Sequence, residues 1–192
     1  MTVILADRDH PARTRLEHAV RSVFLAEYGA HVSAFPNRMI ATMDETGQPL
    51  AVAGLRFADD GLFSEVYLDG PAEQVLGQAL GRTVQRRQIV EFSSLAAPRP
   101  GAAMPLVAAA IRLCLASGSN FGMFTATARL RALLRRTGLM TVDLGPAQPG
   151  RLTGAAAWGS YYLHDPRVLV VAGETLPCAL APDAAVPERR HA

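Results

Sequence analysis

The sequence predicts an α+β domain whose central sheet is mixed. Three β-prone runs over residues 38–43, 50–58 and 62–68 follow one another through turn-forming links, the pattern of an antiparallel meander. A strand, helix, strand succession over residues 88–126 then requires a crossover connection. With 192 residues, 49% of them hydrophobic and 19% charged, the chain has material for one core and too little for two sizeable domains. That single domain is expected over residues 1–175. A Pro/Ala/Arg-rich tail over 176–192 has little to bury and is expected to be disordered.

Each element has its own signal. Over residues 11–28, Leu16, Ala19, Val20, Val23 and Phe24 recur at three- and four-residue spacing and share one helical face. The three strands after Gly29 are linked by Asp44-Glu45-Thr46-Gly47 and Asp59-Asp60-Gly61, residues that tolerate turns. Asp69-Gly70-Pro71, with Glu73 behind it, opens a second helix that carries Val75, Leu76, Ala79, Leu80 and Val84 inward and is expected to end near Arg87. Asp69 is its expected cap. Residues 88–97 form the next strand, 104–117 a helix with Pro105 in its first turn, and 121–126 a strand. Leu130, Leu133 and Leu134 mark a short helix stopped by Gly138, where a left-handed cap is favoured. The remainder is loop-rich, with a strand at 168–172.

Composition excludes several classes. The formal charge of +2 is nearly balanced, and the pI near 8.8, set by Arg rather than Lys, leaves room for phosphate-bearing ligands. No basic block interleaved with aromatics and no Cys/His zinc spacing occurs, so neither nucleic acid nor a metal is expected as a partner. Cys114 and Cys178 are too few and too far apart for a disulfide framework. The early apolar run Val3-Ile4-Leu5-Ala6 is too short for a secretory signal, which together with the cysteine usage fits a cytoplasmic location. The longest apolar stretch, from Ala102 to Ala116, contains Arg112 and falls short of the roughly 20 residues of a membrane span.

Chemistry concentrates in five places. Alternation on the 88–97 strand puts Ile89, Glu91, Ser93 and Leu95 on one face, so Glu91 sits among apolar neighbours. Burial raises a carboxyl pKa, which suits Glu91 to act as a general base; the alternative is a structural Glu paired with Arg82 or Arg56. The elbow Pro98-Arg99-Pro100-Gly101-Ala102-Ala103 precedes a helix N-terminus, whose free N–H groups favour a phosphate, although small-residue loops are also common connectors. On the 62–68 run, Phe63, Glu65, Tyr67 and Asp69 share an unusually polar face that suggests a lined cavity, where Glu65 and Tyr67 would bind or deprotonate an acceptor. Trp158-Gly159-Ser160-Tyr161-Tyr162 reads either as a core plug or as the source of a phenol, Tyr161, that protonates a leaving thiolate. Arg129, Arg131, Arg135 and Arg136 form either a solvated face or a docking surface for an acidic carrier protein.

The segments Ala51-Val52-Ala53-Gly54-Leu55-Arg56, Leu62-Phe63, Glu65-Val66-Tyr67-Leu68-Asp69, Ile89-Val90-Glu91, Leu95-Ala96, Phe124-Thr125-Ala126-Thr127 and Trp158-Gly159-Ser160-Tyr161-Tyr162 together resemble the thermostable hemolysin family, in its order and over most of the chain. Ser94 and Gln148 depart from that pattern, standing where Asn and Asp are expected. The resemblance implies a Gcn5-related N-acetyltransferase fold akin to autoinducer synthases, to whose Glu-x-Ser stretch Glu91-Phe92-Ser93-Ser94 is similar. It implies acyl transfer from a coenzyme A or acyl-carrier-protein thioester to an amine-bearing small molecule, with no metal. On that reading Ser93, Ser94, Leu95, Ala96 and Ala97 line the pantetheine arm, backbone near Leu95 stabilises an oxyanion, and Arg99, Gly101, Ala102 and Ala103 hold phosphate. Glu91, Glu65 and Tyr161 are then the expected catalytic residues, and Phe63, Tyr67, Thr125 and Trp158 the expected acceptor contacts. A membrane-active hemolysin and a non-catalytic acyl-binding module are the alternatives.

Overall fold

A computed structural model describes residues 1–99 and 101–176. Its centre is a seven-stranded sheet of β1 (Thr2–Ala6), β2 (Arg38–Met43), β3 (Pro49–Arg56), β4 (Ile89–Ala96), β5 (Phe121–Ala126), β6 (Val142–Pro146) and β7 (Arg167–Ala172), in the order β1-β2-β3-β4-β5-β7-β6. Only β4 and β5 run parallel, joined by the crossover helix α3 (Ala103–Ala116), and every other pairing is antiparallel. The α+β class and the mixed sheet therefore stand. The expected tail over 176–192 lies, from residue 177 on, outside the described residues, as do Cys178 and Pro100 of the elbow.

The first helix, α1 (Arg13–Tyr28), buries Leu16, Val20 and Phe24 against β2 and β3, and Gly29 closes it in the left-handed conformation. Burying such side chains contributes about 1.5–3 kcal/mol each. Buried Arg13 donates to the carbonyls of Pro36 (2.7 Å) and Asn37 (3.0 Å), which fastens the segment after α1 across the sheet face. There Gly54 is required: a Cβ on it would stand 2.5 Å from Pro36 Cγ and 2.6 Å from Ser93 Oγ. The crossover helix packs Leu106, Ala110 and Cys114 on the opposite face, against Ile40, Ala53, Leu55 and Val90.

Four sequence expectations need correction. The run over 62–68 is not a strand: Phe63–Tyr67 is a 3₁₀ turn, and β3 pairs directly with β4. The place in the sheet is taken, and the turned backbone instead gives its N–H groups to a buried carboxylate. The second helix, α2 (Ala72–Leu80), ends at left-handed Gly81 rather than near Arg87, so Val84 is buried from the following loop and Ala79 is exposed. Asp69 does not cap it; Asp69 pairs with Arg151, and the Ala72 N–H is capped by Glu65. The strands β1 and β6 were not anticipated, the first because it is a short edge strand and the second because it contains Gly145 and Pro146.

Candidate active site

On β4 the backbone breaks its alternation. Ser94 lies in the left-handed region at φ 51°, and the β3 register slips from Gly54↔Ser93 to Val52↔Ala96, so one extra residue is accommodated in β4 as a bulge. Beyond it the side chains change face. Leu95 joins the α3 layer, not the face of Ile89, Glu91 and Ser93 as strict alternation predicts, and Ala96 turns to the α1 layer. Pairing with β5 stops at Phe92↔Phe124, after which Thr125 and Ala126 of β5 pair only with β7. The two parallel strands thus part just past Phe92.

A cleft of about 930 Å³ occupies the parting. Glu91, Ser93, Ser94, Leu95, Ala97, Arg99, Gly101, Ala103, Phe63, Tyr67, Thr125, Trp158 and Tyr161 all line it. Three expected site residues do not. The Ala96 side chain is packed beside Val52, Ala102 is packed under α3, and Glu65 lies outside the cleft. Glu65 receives Arg86 on both oxygens (2.5 and 2.6 Å) and the Ala72 N–H at 2.7 Å. The Arg86 hydrogen bonds hold its carboxyl below the ordinary range, so it stays ionised and anchors the start of α2.

Glu91 is 1% exposed. Its Oε2 accepts the Phe63 N–H at 2.5 Å, and its Oε1 accepts the Ser64 N–H at 2.9 Å and the Ser64 hydroxyl at 2.5 Å. Neither Arg82 nor Arg56 forms an ion pair with it; Arg82 is taken by Glu174 at 2.6 Å. Burial pushes the Glu91 pKa up, against the opposing hydrogen bonds from Ser64 and Phe63. The Ser64 hydroxyl also lies 2.9 Å from Thr125 Oγ1, so a chain of hydroxyls links the buried carboxyl to a residue of the cleft. Ser64 escaped sequence reasoning because it was placed on a strand and carries no motif of its own.

One wall of the cleft is aromatic. Trp158 meets Phe24 edge-on at 6.1 Å, Phe63 at 6.2 Å and Tyr161 at 5.4 Å between centroids, and Tyr67 and Tyr162 share a 2.7 Å hydrogen bond. Burial pushes the Tyr161 phenol well above its ordinary pKa, so it stays protonated. At the other end, Gly101 has φ 83° and leads into α3, whose N-cap Ala102 provides no side-chain cap. The helix α4 (Ala128–Arg136) contributes Arg129, Leu130, Leu133 and Arg136 to the lining. Arg131 instead pairs with Asp165, and Arg135 points to solvent. Behind Leu95 and Phe124 lies a second, apolar pocket of about 100 Å³, shared by α3 and α4.

A family model described as thermostable hemolysin matches residues 6–175. No curated protein sequence matches the chain. Among solved structures, the acyl-homoserine-lactone synthase LasI superposes with a TM-score of 0.60 at 14% identity, covering 89% of each chain. FeeM, an N-acyl amino acid synthase from uncultured soil microbes, gives 0.58 at 11% identity, covering 88% of this chain and 93% of its own. BjaI, a coenzyme A-dependent acyl-homoserine lactone synthase solved with SAM and isopentyl-CoA, gives 0.56 at 15% identity, covering 88% and 81%. At these identities the likeness is one of fold.

Proposed function

The chain belongs to the thermostable hemolysin family, and from that membership and its synthase-like fold we propose that it is an N-acyltransferase, moving an acyl group from a coenzyme A or carrier-protein thioester to an amine. The observation that carries this reading is the parting of β4 from β5 past Phe92, which opens a cleft beside a buried, proton-avid carboxyl. Unpaired backbone in that parting suits a pantetheine arm, which can hydrogen-bond where β5 would otherwise lie. Gly101 and the uncapped start of α3 suit the donor's phosphate, and the apolar pocket behind Leu95 suits its acyl chain.

The chemistry balances with these groups. An acceptor ammonium loses one proton through the Thr125 and Ser64 hydroxyls to Glu91. The freed nitrogen pair attacks the thioester carbon, and the carbonyl π pair moves to oxygen, where N–H groups past the Ser94 bulge stabilise it. As the carbonyl re-forms, the C–S bond breaks and sulfur leaves with its electron pair. The excess proton on the new amide nitrogen passes to that sulfur, with the Tyr161 hydroxyl relaying it as one proton arrives and another leaves. The products are an amide, a thiol and one proton released from Glu91 to solvent.

The test is intact-mass detection of acyl transfer from a panel of acyl-coenzyme A and acyl-carrier donors to pooled amines. Formation of an amide that fails with Glu91→Gln supports the reading. A panel in which no donor is bound or consumed removes it. No helix among the described residues is long and apolar enough to cross a membrane, and the family's name is accommodated if the acylated product is itself amphiphilic.

A further inference from the structure

Arg56, at the end of β3, stands directly opposite Glu91 in the antiparallel register and lines the cleft on the same face. Opposed residues of such a pair hold their Cβ atoms about 5 Å apart, close enough for an ion pair. None forms. The carboxylate of Glu91 is turned onto the Phe63 and Ser64 N–H groups. The other nearby acid, Asp60, is taken by the Phe57 N–H, Asn37 and Arg38. Among the described residues no ion pair includes Arg56, and its buried Nε has no hydrogen-bond partner. A guanidinium is always charged, and an unpartnered donor in it carries the full cost of its lost hydration.

Arg56 is also in the wrong place for the donor's phosphate. Gly101 follows the far end of β4, and the strand residues from Glu91 to Ala96 alone span on the order of 15 Å. The cation therefore serves the acceptor half of the cleft. We infer that Arg56 receives the carboxylate of an α-amino acid, whose amine then faces the Ser64, Thr125 and Glu91 chain. The planar fork of Nε and one Nη matches two carboxylate oxygens. The short Arg56-to-Glu91 separation matches a carboxylate and an amine on the same carbon, and the Phe63 and Trp158 wall suits an apolar side chain.

This inference rests on the acyl-transfer reading, and its test separates the two. The common L-amino acids and their carboxamides are offered as acceptors with the donor panel above. Free acids are expected to be acylated with kcat/KM about 10- to 100-fold above the matching amides, the size of a charge-assisted hydrogen-bond pair. Arg56→Gln is expected to bring that ratio close to one through KM, and Arg56→Lys to retain part of it. Should the glutamine variant fail to fold, the wild-type ratio and the lysine variant still decide. Amides acylated as readily as free acids overturn the amino acid inference and leave the transferase standing. Failure of every acceptor with every donor overturns both.

Discussion

Glu91 and Glu65 are both acids that sequence patterning placed at the site, and their surroundings send them in opposite directions. Burial dominates at Glu91 and favours its protonated form, whereas paired hydrogen bonds from Arg86 dominate at Glu65 and favour the charge. For a carboxyl whose folded pKa is raised, the native state holds its proton to higher pH than the unfolded chain. Its contribution to stability is present below the unfolded value near 4.5 and is lost as pH rises through the folded pKa. On the proposed mechanism, activity should rise as Glu91 ionises through its folded pKa, because the base is then the ionised form. Glu91→Gln is expected to lower kcat by about 10²–10⁴-fold and to remove that limb of the pH–rate profile, checked by steady-state kinetics across pH. Glu65 has the other sign: its contribution is present above pH 4.5 and lost as pH falls through its depressed folded pKa. Glu65→Gln is expected to cost about 1–2 kcal/mol by urea denaturation at pH 7, as the loss of a helix cap and a part-exposed ion pair, with kcat little changed.

At the scale of elements, the strands of the sheet's middle were readable because β-prone residues there are bounded by turn formers: residues 38–43 and 121–126 match β2 and β5. What misled was the polar alternation of Phe63, Glu65, Tyr67 and Asp69. It satisfies a strand pattern, yet its backbone is coiled by a carboxylate 28 residues away from Phe63 in sequence. No local signal carries such a contact. The Ser94 bulge was similarly hidden, since serine is not a residue that announces positive φ, and it decides which side of the sheet Leu95 faces. Gly159 shows the reverse case, a short aromatic segment held by one glycine. A Cβ on it would meet the Tyr28 carbonyl oxygen at 2.1 Å, and Ser160 N–H donates to that same oxygen at 2.8 Å. Gly159→Ala is expected to cost about 2–4 kcal/mol and to displace Trp158 from the cleft wall, seen as a lowered Tm with a shifted tryptophan emission.

At the scale of the whole molecule, the proposed reaction divides the cleft into an acceptor half and a donor half, with the β4/β5 parting between them. All of Glu91, Ser64, Arg56, the aromatic wall, Gly101, Arg99, Arg129 and Arg136 line the one cleft, and the proposed reading assigns the first group to the acceptor and the last four to the donor. In the sequence, Arg129, Arg131, Arg135 and Arg136 read as either a solvated face or a docking surface for an acidic carrier, and which of them face inward could not be told, because that depends on how α4 docks. Arg131 is committed to Asp165, so a carrier's acidic surface or a nucleotide's phosphates would meet Arg129 and Arg136. Arg129 pairs with Glu27 at 3.2 Å, but with side-chain exposures of 84% and 49% that contact adds little to stability. Reversing both charges should therefore spare the fold and act on the donor alone. Rim charges contribute about 1 kcal/mol each at low salt and less as salt screens them. The Arg129→Glu, Arg136→Glu double variant is expected to raise KM for an acyl-coenzyme A or acyl-carrier donor about tenfold at low ionic strength, and by less in 0.5 M salt. An acyl-pantetheine donor, which has no phosphate and no carrier, should be used equally well by both proteins. If the double variant lost ground equally on acyl-pantetheine, the two arginines would be shaping the cleft and not receiving the donor's charge.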